Sequence, residues 1–336
     1  MALRQSPTTG EHLPDERPPG RRRRRWVTVL VLLPVLGLGV LAALRLVGID
    51  GNRFTVAALA LTPYAGAAGV LWVIFALLVG RRWPAMVALV LSASLGVVIT
   101  PRVLADDDPL PDGQHVRLMS VNLRLGFADL ATVVRLVRDA RVDVLVLQEL
   151  TPAAVTALDQ EGLADLLPHR VLRPKPGGAG GGILAAVPLR QIVLNQQPTS
   201  FEMPAAVLDL SGRQDIEVMS VHVMPPVGAE ENRVQWEREL NAMPNPDARG
   251  RPRVLAGDFN ATLDHGAFNR LLDRGYSDAA ESTGEALRPT WQENWVPPIT
   301  IDHVLYDRRV GAQVTAVYDV PGTDHNAVLT ELVLPR

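Results

Sequence analysis

The run Val254-Leu255-Ala256-Gly257-Asp258-Phe259-Asn260 sets a carboxylate and a carboxamide two residues apart at the end of an apolar stretch. In an extended chain both side chains point to one face. A carboxylate can take a proton from water or hold a cation, and an amide can donate to a phosphoryl oxygen. Other apolar runs end alike. Asn122 follows Leu118 to Val121, Glu149 follows Val144 to Gln148, His222 follows Val218 to Val221, and Asp302-His303 follows Ile299 to Ile301. Gly322-Thr323-Asp324-His325 precedes the last apolar run. Taken singly, each group is what a turn or a helix cap would use. Together, separate strands deliver Asn, Glu, His and Asp where they enter loops, and that points to one shared polar site.

Strands and helices must carry these groups. Alternation and β-branched content predict strands at 116–121, 142–147, 183–187, 206–210, 216–221, 253–256, 301–306, 312–317 and 327–334. Helical spacing predicts helices at 130–138, 152–167, 230–243 and 268–272. Mixed strands and helices with several hairpins imply packed sheets flanked by helices. The glycine-rich stretch 177–182 reads as a flexible turn, since it lacks the Lys-Ser/Thr of a nucleotide-binding loop. His265 and His303 show no partner in sequence and are read as structural.

The first hundred residues have a different texture. The chain of 336 residues is 47% hydrophobic with no cysteine, which excludes disulfides and thiol catalysis. Residues 1–25 read as a disordered, basic cytoplasmic tail ending in Arg21 to Arg25. Uncharged runs follow at 26–44, 54–80 (with Pro63 as a kink point) and 84–100, and they predict three membrane-spanning helices. Arg21–Arg25, Arg81 and Arg82 lie on one side of these spans, which places the N-terminus in the cytoplasm. Three crossings leave everything after residue 100 outside the plasma membrane. Residues 101–114, with Asp106-Asp107-Asp108 and three prolines, read as a solvated linker rather than a calcium loop. Residues 115–336 then form the distal domain, with 21 basic and 28 acidic residues, a formal charge of −7. That is a poor footprint for duplex nucleic acid, so no stable nucleic-acid partner is expected.

The ordered set Asn122, Gln148-Glu149, His222, Gly257-Asp258-Phe259-Asn260, Ile301-Asp302 and Thr323-Asp324-His325 resembles the endonuclease/exonuclease/phosphatase superfamily, the DNase I-like fold, over roughly residues 115–336. Pro289-Thr290-Trp291 is similar to the family as well. The resemblance implies an α/β fold, a four-layer α/β sandwich, here preceded by three transmembrane helices, and a Mg²⁺-dependent phosphoesterase with Mn²⁺ as an alternative metal. It implies that Glu149 binds the metal, helped by Asn122 and Asp324. Asp258 would position or deprotonate water and Asn260 would hold the phosphate. His325 would donate to the phosphoryl group or leaving oxygen, Asp302 would fix its tautomer, and His222 would contact the phosphate from the other side. One departure stands out: 182–188 lacks the Ser-Arg pair common after the family's glycine-rich strand, which weakens substrate inference.

The layout is similar to membrane-anchored actinobacterial members of the superfamily. The expected partners are the lipid bilayer and a phosphate-bearing, lipid-linked substrate. An extracellular nuclease is the alternative, with Arg124, Arg173 and Lys175 as a candidate basic groove. A non-catalytic, membrane-tethered binding or sensor module is a third reading, disfavoured because Glu149, Asp258 and His325 are all present.

Overall fold

In the computed structural model, which describes residues 20–210 and 215–336, the chain starts as a long helix, α1 (Gly20–Val47). Arg21 to Arg25 therefore belong to this helix rather than to a disordered tail. Residues 1–19 lie outside the described residues, as do 211–214, which make up most of the turn expected at Ser211–Asp215 between the hairpin strands at 206–210 and 216–221. Next come α2 (Arg53–Leu59), α3 (Thr62–Leu78) and α4 (Arg82–Ile99).

Among the described residues, two segments are long and apolar enough to cross a bilayer: Arg25–Val47, with mean hydropathy 2.7, and Arg82–Val103, with mean hydropathy 1.9. The expected single helix at 54–80 is instead α2 and α3, bent by 69°. Pro63 stands in the first turn of α3, where it cannot donate back to a preceding turn. Val31 packs with Ala76 and Ala85, while Leu38 and Ala42 pack with Leu95 and Ala65. α1 thus runs against α3 and with α4. The start of α1 and the turn at 79–81 share one end of the bundle. The end of α1, the start of α3 and the end of α4 share the other.

That second end is docked on the distal domain. Arg45, near the end of α1, donates from Nε to Asp264 Oδ1 at 2.8 Å. Arg102, just after α4, donates to both oxygens of the same carboxylate at 2.7 Å. Asp50 accepts from the backbone N–H groups of Gly266 and Ala267 at 2.7 and 2.8 Å, capping the helix that starts there. The Tyr64 hydroxyl donates to Pro298 O at 2.7 Å.

The distal domain contains β1 (His115–Asn122), α5 (Leu130–Asp139), β2 (Val144–Gln148), α6 (Pro152–Gln160), α7 (Leu163–Leu166), β3 (His169–Arg173), β4 (Gly181–Ala185), β5 (Leu189–Ile192), β6 (Ala205–Leu208), β7 (Ile216–His222), α8 (Glu230–Ala242), β8 (Arg253–Asp258), α9 (Gly266–Asp273), β9 (Tyr276–Asp278), α10 (Ala279–Ser282), β10 (Asp302–Asp307), β11 (Gly311–Tyr318) and β12 (Ala327–Val333). The strands form two six-stranded mixed sheets, ordered β11-β12-β1-β2-β4-β3 and β5-β6-β7-β8-β10-β9. The helix predicted at 152–167 is interrupted by Gly162, left-handed at φ +85°, and becomes α6 and α7.

Strand alternation sorts the core into layers. Val116, Leu118, Val144, Val146, Ile216, Val218, Val254, Ala256, Val304 and Tyr306 meet between the sheets. Met119, Val121, Leu145 and Leu147 face α5 to α7. Met219, Val221, Leu255 and Leu305 face α8 and α9. Helices, sheet, sheet and helices make four layers, an α/β sandwich.

Candidate active site

The site is where the inward-facing series of each central strand turns polar. β1 runs Val116, Leu118, Ser120, Asn122 on its inner face, and β2 runs Val144, Val146, Gln148. β7 runs Ile216, Val218, Ser220, His222, and β8 runs Val254, Ala256, Asp258. β10 enters from the opposite direction with Asp302 first. Register completes the alignment: Asn122 pairs with Gln148, His222 with Asp258, and Asp258 with Asp302. Beneath the site, Ser120 Oγ donates to Gln148 Oε1 and Gln148 Nε2 donates to Ser220 Oγ, both at 3.3 Å. This buried relay ties one sheet to the other. The sequence carries a signal for it: a serine stands two residues before Asn122 and another two before His222, on the same face by period two.

Asp258 occupies the centre. Oδ2 accepts from Asn122 Nδ2 at 3.1 Å and lies 3.7 Å from His325 Nε2 and 3.8 Å from His222 Nε2. Oδ1 accepts from the Asn260 backbone N–H at 2.8 Å. Gly257, at φ +147°, leaves no room for a side chain here, since a Cβ would stand 2.0 Å from Val221 O. Burial, with Asp302's charge adding to it, pushes the Asp258 carboxyl up to about 7.

His325 Nδ1 meets both Asp302 oxygens, at 2.9 and 3.1 Å. Asp302 is oriented in turn by Thr290, whose hydroxyl accepts the Asp302 N–H at 2.9 Å. Burial opposes a charge on the imidazole, yet the Asp302 and Asp258 carboxylates outweigh it and hold the pKa at about 10. His325 is therefore a charged donor with Nε2 turned to the cleft. His222 is the opposite case: burial, reinforced by His325's positive charge, takes it down to about 3. Its ring stacks on Phe201 at 4.2 Å, and its buried Nδ1 has no hydrogen-bond partner; the Gly178 backbone lies nearby without bonding geometry.

Glu149, left-handed at φ +54°, accepts from the Leu125 N–H at 2.6 Å and from Asn122 Nδ2 at 3.4 Å. Its Oε1 lies 3.9 Å from His222. Burial raises its pKa. Asn260, also left-handed (φ +46°), donates from Nδ2 to Val223 O at 3.0 Å. Asp324 sits at the rim, accepting from Trp291 Nε1 at 3.2 Å and lying 3.5 Å from Arg124 Nε.

All eight residues singled out by sequence thus line one cleft. Asp324 is already engaged by Arg124 and Trp291, so it is less free than Glu149. The stretch 177–182 is a 3-10 turn at Gly177–Ala179 leading into β4, as read, with Leu150 N donating to Gly180 O at 3.1 Å. The candidate basic groove is neutralised in part, as Arg124 meets Asp324 and Glu293 and Lys175 pairs with Glu202. Phe201 carries no sequence signal.

The charges fit a divalent cation. Glu149, Asp258, Asp302 and Asp324 converge, and His325 and Arg124 are the cations set against them. Oxygen-rich donor sets of this kind suit hard ions. Among the described residues, Asp258, Asp302 and His325 form a buried group whose ligand atoms lie within 4.8 Å of one another and could hold a metal ion. Because Asp302 occupies His325 Nδ1, the Glu149 and Asn122 side of the cleft is chemically the better seat.

Fold and cleft together define a hydrolase architecture built for phosphoester bonds. The model of the endonuclease/exonuclease/phosphatase family matches residues 119–325, and the chain belongs to that family. Members typically use divalent metals. No curated protein matches the sequence. Among solved structures, the chain is similar to an endonuclease/exonuclease/phosphatase from Beutenbergia cavernae (19% identity, covering 66% of this chain and 72% of that one, TM-score 0.51). It is also similar to D. rerio TDP2 complexed with single-strand DNA product (18% identity, 65% and 99%, TM-score 0.52). An AP endonuclease from Archaeoglobus fulgidus is a third (15% identity, 64% and 98%, TM-score 0.51). At these identities the likeness is one of fold.

Proposed function

We propose that this protein is a membrane-anchored, outward-facing, metal-dependent phosphoesterase acting on a lipid-linked phosphate or pyrophosphate ester. The observation that carries this reading is a short backbone ladder between anchor and cleft. Tyr64, in the first turns of α3, bonds Pro298 O; Ile299 bridges Trp291, and Trp291 bridges His325. Two strand spacings, about 10 Å, separate Ile299, which follows the Tyr64 contact at Pro298, from the backbone of His325. A substrate confined to the bilayer is concentrated at that depth, whereas a soluble polyanion gains nothing and meets a domain of charge −7.

The three-crossing topology remains part of the proposal. α3 has 17 residues, about 25 Å of helix, at the short end of what spans a bilayer. Trp26 and Trp83 are exposed at the arginine-rich end and Tyr64 at the domain end, an arrangement suited to two aromatic belts.

Chemically, the residues divide the work. Asp258, with its raised pKa, accepts the proton of the attacking water. His325, charged and held by Asp302, donates to the phosphoryl or leaving oxygen. Asn260 offers its amide group to the phosphate. Glu149 and Asn122, with Asp324 at the rim, would hold the divalent cation, Mg²⁺ or Mn²⁺, which when bound would neutralise phosphate charge.

The nuclease reading draws on two of the similar structures, one complexed with single-strand DNA and one an AP endonuclease. A panel separates the two readings. Full-length protein in detergent is given a polyprenyl pyrophosphate, a phospholipid, sphingomyelin and plasmid DNA, each with Mg²⁺ or with chelator. The expected result is metal-dependent release of phosphate from a lipid. Cutting of DNA at catalytic rates with every lipid untouched overturns the proposal.

A further inference from the structure

Between the anchor and the distal domain lies a crevice of about 320 Å³. One wall is the end of α2 and the start of α3, with Ala60, Pro63, Tyr64 and Ala67. The other comes from the segment 286–300, with Leu287, Pro298 and Ile299. Arg102 lines it too, and its buried Nε has no hydrogen-bond partner although the rest of its guanidinium is held by Asp264. The volume falls within the range of small-molecule sites, about 300–1,000 Å³.

What opens onto this crevice is decided by its neighbours. One wall continues directly into the apolar, outward-facing surface of α3, where Val70, Leu71 and Ile74 are exposed. The other wall belongs to a loop that carries Trp295 at its tip, fully exposed (102%) and left-handed at φ +72°. The loop is braced at both roots. Trp291 pairs with Ile299 and bonds Asp324, Glu293 meets Arg124, and Pro298 accepts from Tyr64. An indole held out in the open on a braced loop, three residues from the contact with the start of an apolar helix, is the arrangement expected at a membrane–water interface.

We infer that this crevice binds the hydrocarbon chain of a membrane lipid, with Trp295 seated in the headgroup layer beside it. The small residues Ala60 and Ala67 leave the space, and the mostly apolar walls match a chain. The inference rests on reading α1, α3 and α4 as membrane-spanning. It does not depend on which ester is hydrolysed, because lipid capture and turnover are separate measurements.

The test uses full-length protein in phosphatidylglycerol vesicles containing a phospholipid with a photoreactive diazirine in its acyl chain. After illumination, adducts are mapped by peptide mass spectrometry. The expected pattern has label on 60–67 and 286–300 as well as on exposed helix positions such as Leu36 and Val97. Ala67→Phe, at an exposed position of α3, fills the crevice; it should lose the label on 286–300 and keep that on Leu36 and Val97. Label on Leu36 and Val97 with none on 286–300 in the wild-type protein overturns the inference. So does unchanged 286–300 labelling in Ala67→Phe. Absence of label from Leu36 and Val97 themselves overturns the membrane reading, and the crevice with it. A lipid that labels the crevice but is never hydrolysed leaves this inference standing and counts only against the substrate proposal.

Discussion

Asp302 and His303 are neighbours on β10, and each belongs to a buried histidine–aspartate pair on an opposite face of the strand. On the inner face Asp302 holds His325 Nδ1 at 2.9 Å, and His325 Nε2 looks across 3.7 Å to Asp258 without a hydrogen bond. On the outer face His303 Nδ1 meets Asp278 at 2.7 Å, and Nε2 meets Ala261 O at 2.9 Å. Neighbouring carboxylates raise both imidazoles against the opposing effect of burial. The pairs differ in one respect. His303 has both ring nitrogens satisfied, wedged against Phe259 and Phe268, while His325 keeps one nitrogen for something that is not protein. Charge and burial alone do not mark a catalytic histidine; an uncommitted nitrogen facing a cleft does.

Substitutions on the two faces should fail in different ways. The largest effect is expected from Asp302→Asn. It leaves the strand intact but takes away the charge that keeps His325 protonated and oriented, and should lower kcat by about 10²–10⁴-fold. The Asp302–His325 pair is buried as well, so stability should also fall, and kcat is read per folded molecule. Near-normal turnover would mean that His325 is not the donor. Asp278→Asn is the mirror experiment. It breaks a buried charged pair, a change that costs about 3–5 kcal/mol, and denaturant unfolding should record that loss while the folded fraction keeps its kcat. A selective fall in kcat with unchanged stability would erase the distinction.

A smaller effect should appear with pH. The folded pKa of His303 lies above its ordinary value near 6.5. The stabilisation from the charged pair is therefore complete below that pH and is lost as pH rises through the raised value. The stability gap between wild type and His303→Phe should narrow steadily from pH 6.5 upward. A gap that widens with pH would mean the folded pKa is lowered. Smallest of all should be Ser220→Ala, which removes two contacts from the relay under the site, the one accepted from Gln148 Nε2 at 3.3 Å and the one donated to Leu147 O at 3.1 Å. A loss of about 1 kcal/mol in stability is expected, with kcat changed less than by either aspartate variant.

Much of this is legible in sequence because period-two alternation is strict. Spacing alone assigns Asn122, His222, Asp258 and Asp302 to one face of their strands, and the long central strands fall where apolar runs predict them. What is not legible depends on distance along the chain or on brevity. β3, β5 and β9, with three to five residues each, carry too few turns of the pattern to register. His303 finds Asp278 and Ala261, and His265 finds Val56 O and the Thr262 N–H, through contacts that only folding creates. The break between α2 and α3 reads in sequence as no more than a kink at Pro63. Val56 leaves the apolar bundle to join the core with Trp236 and Phe268, so α2 belongs to the distal domain's packing. Arg45 and Arg102 stand 219 and 162 residues from Asp264, and nothing in their spacing hints that they meet.

That last cluster has a kinetic consequence. A carboxylate gripping cations from two separate helical segments makes the apolar bundle a mount rather than a leash; where that bundle spans a bilayer, as proposed, the cleft has a fixed height and samples a plane instead of a volume. If the substrate is a lipid, the quantity that sets the rate is its mole fraction among the surrounding lipids. Spreading the same substrate through a larger excess of inert lipid should slow turnover, whereas diluting the vesicles in buffer should leave it unchanged.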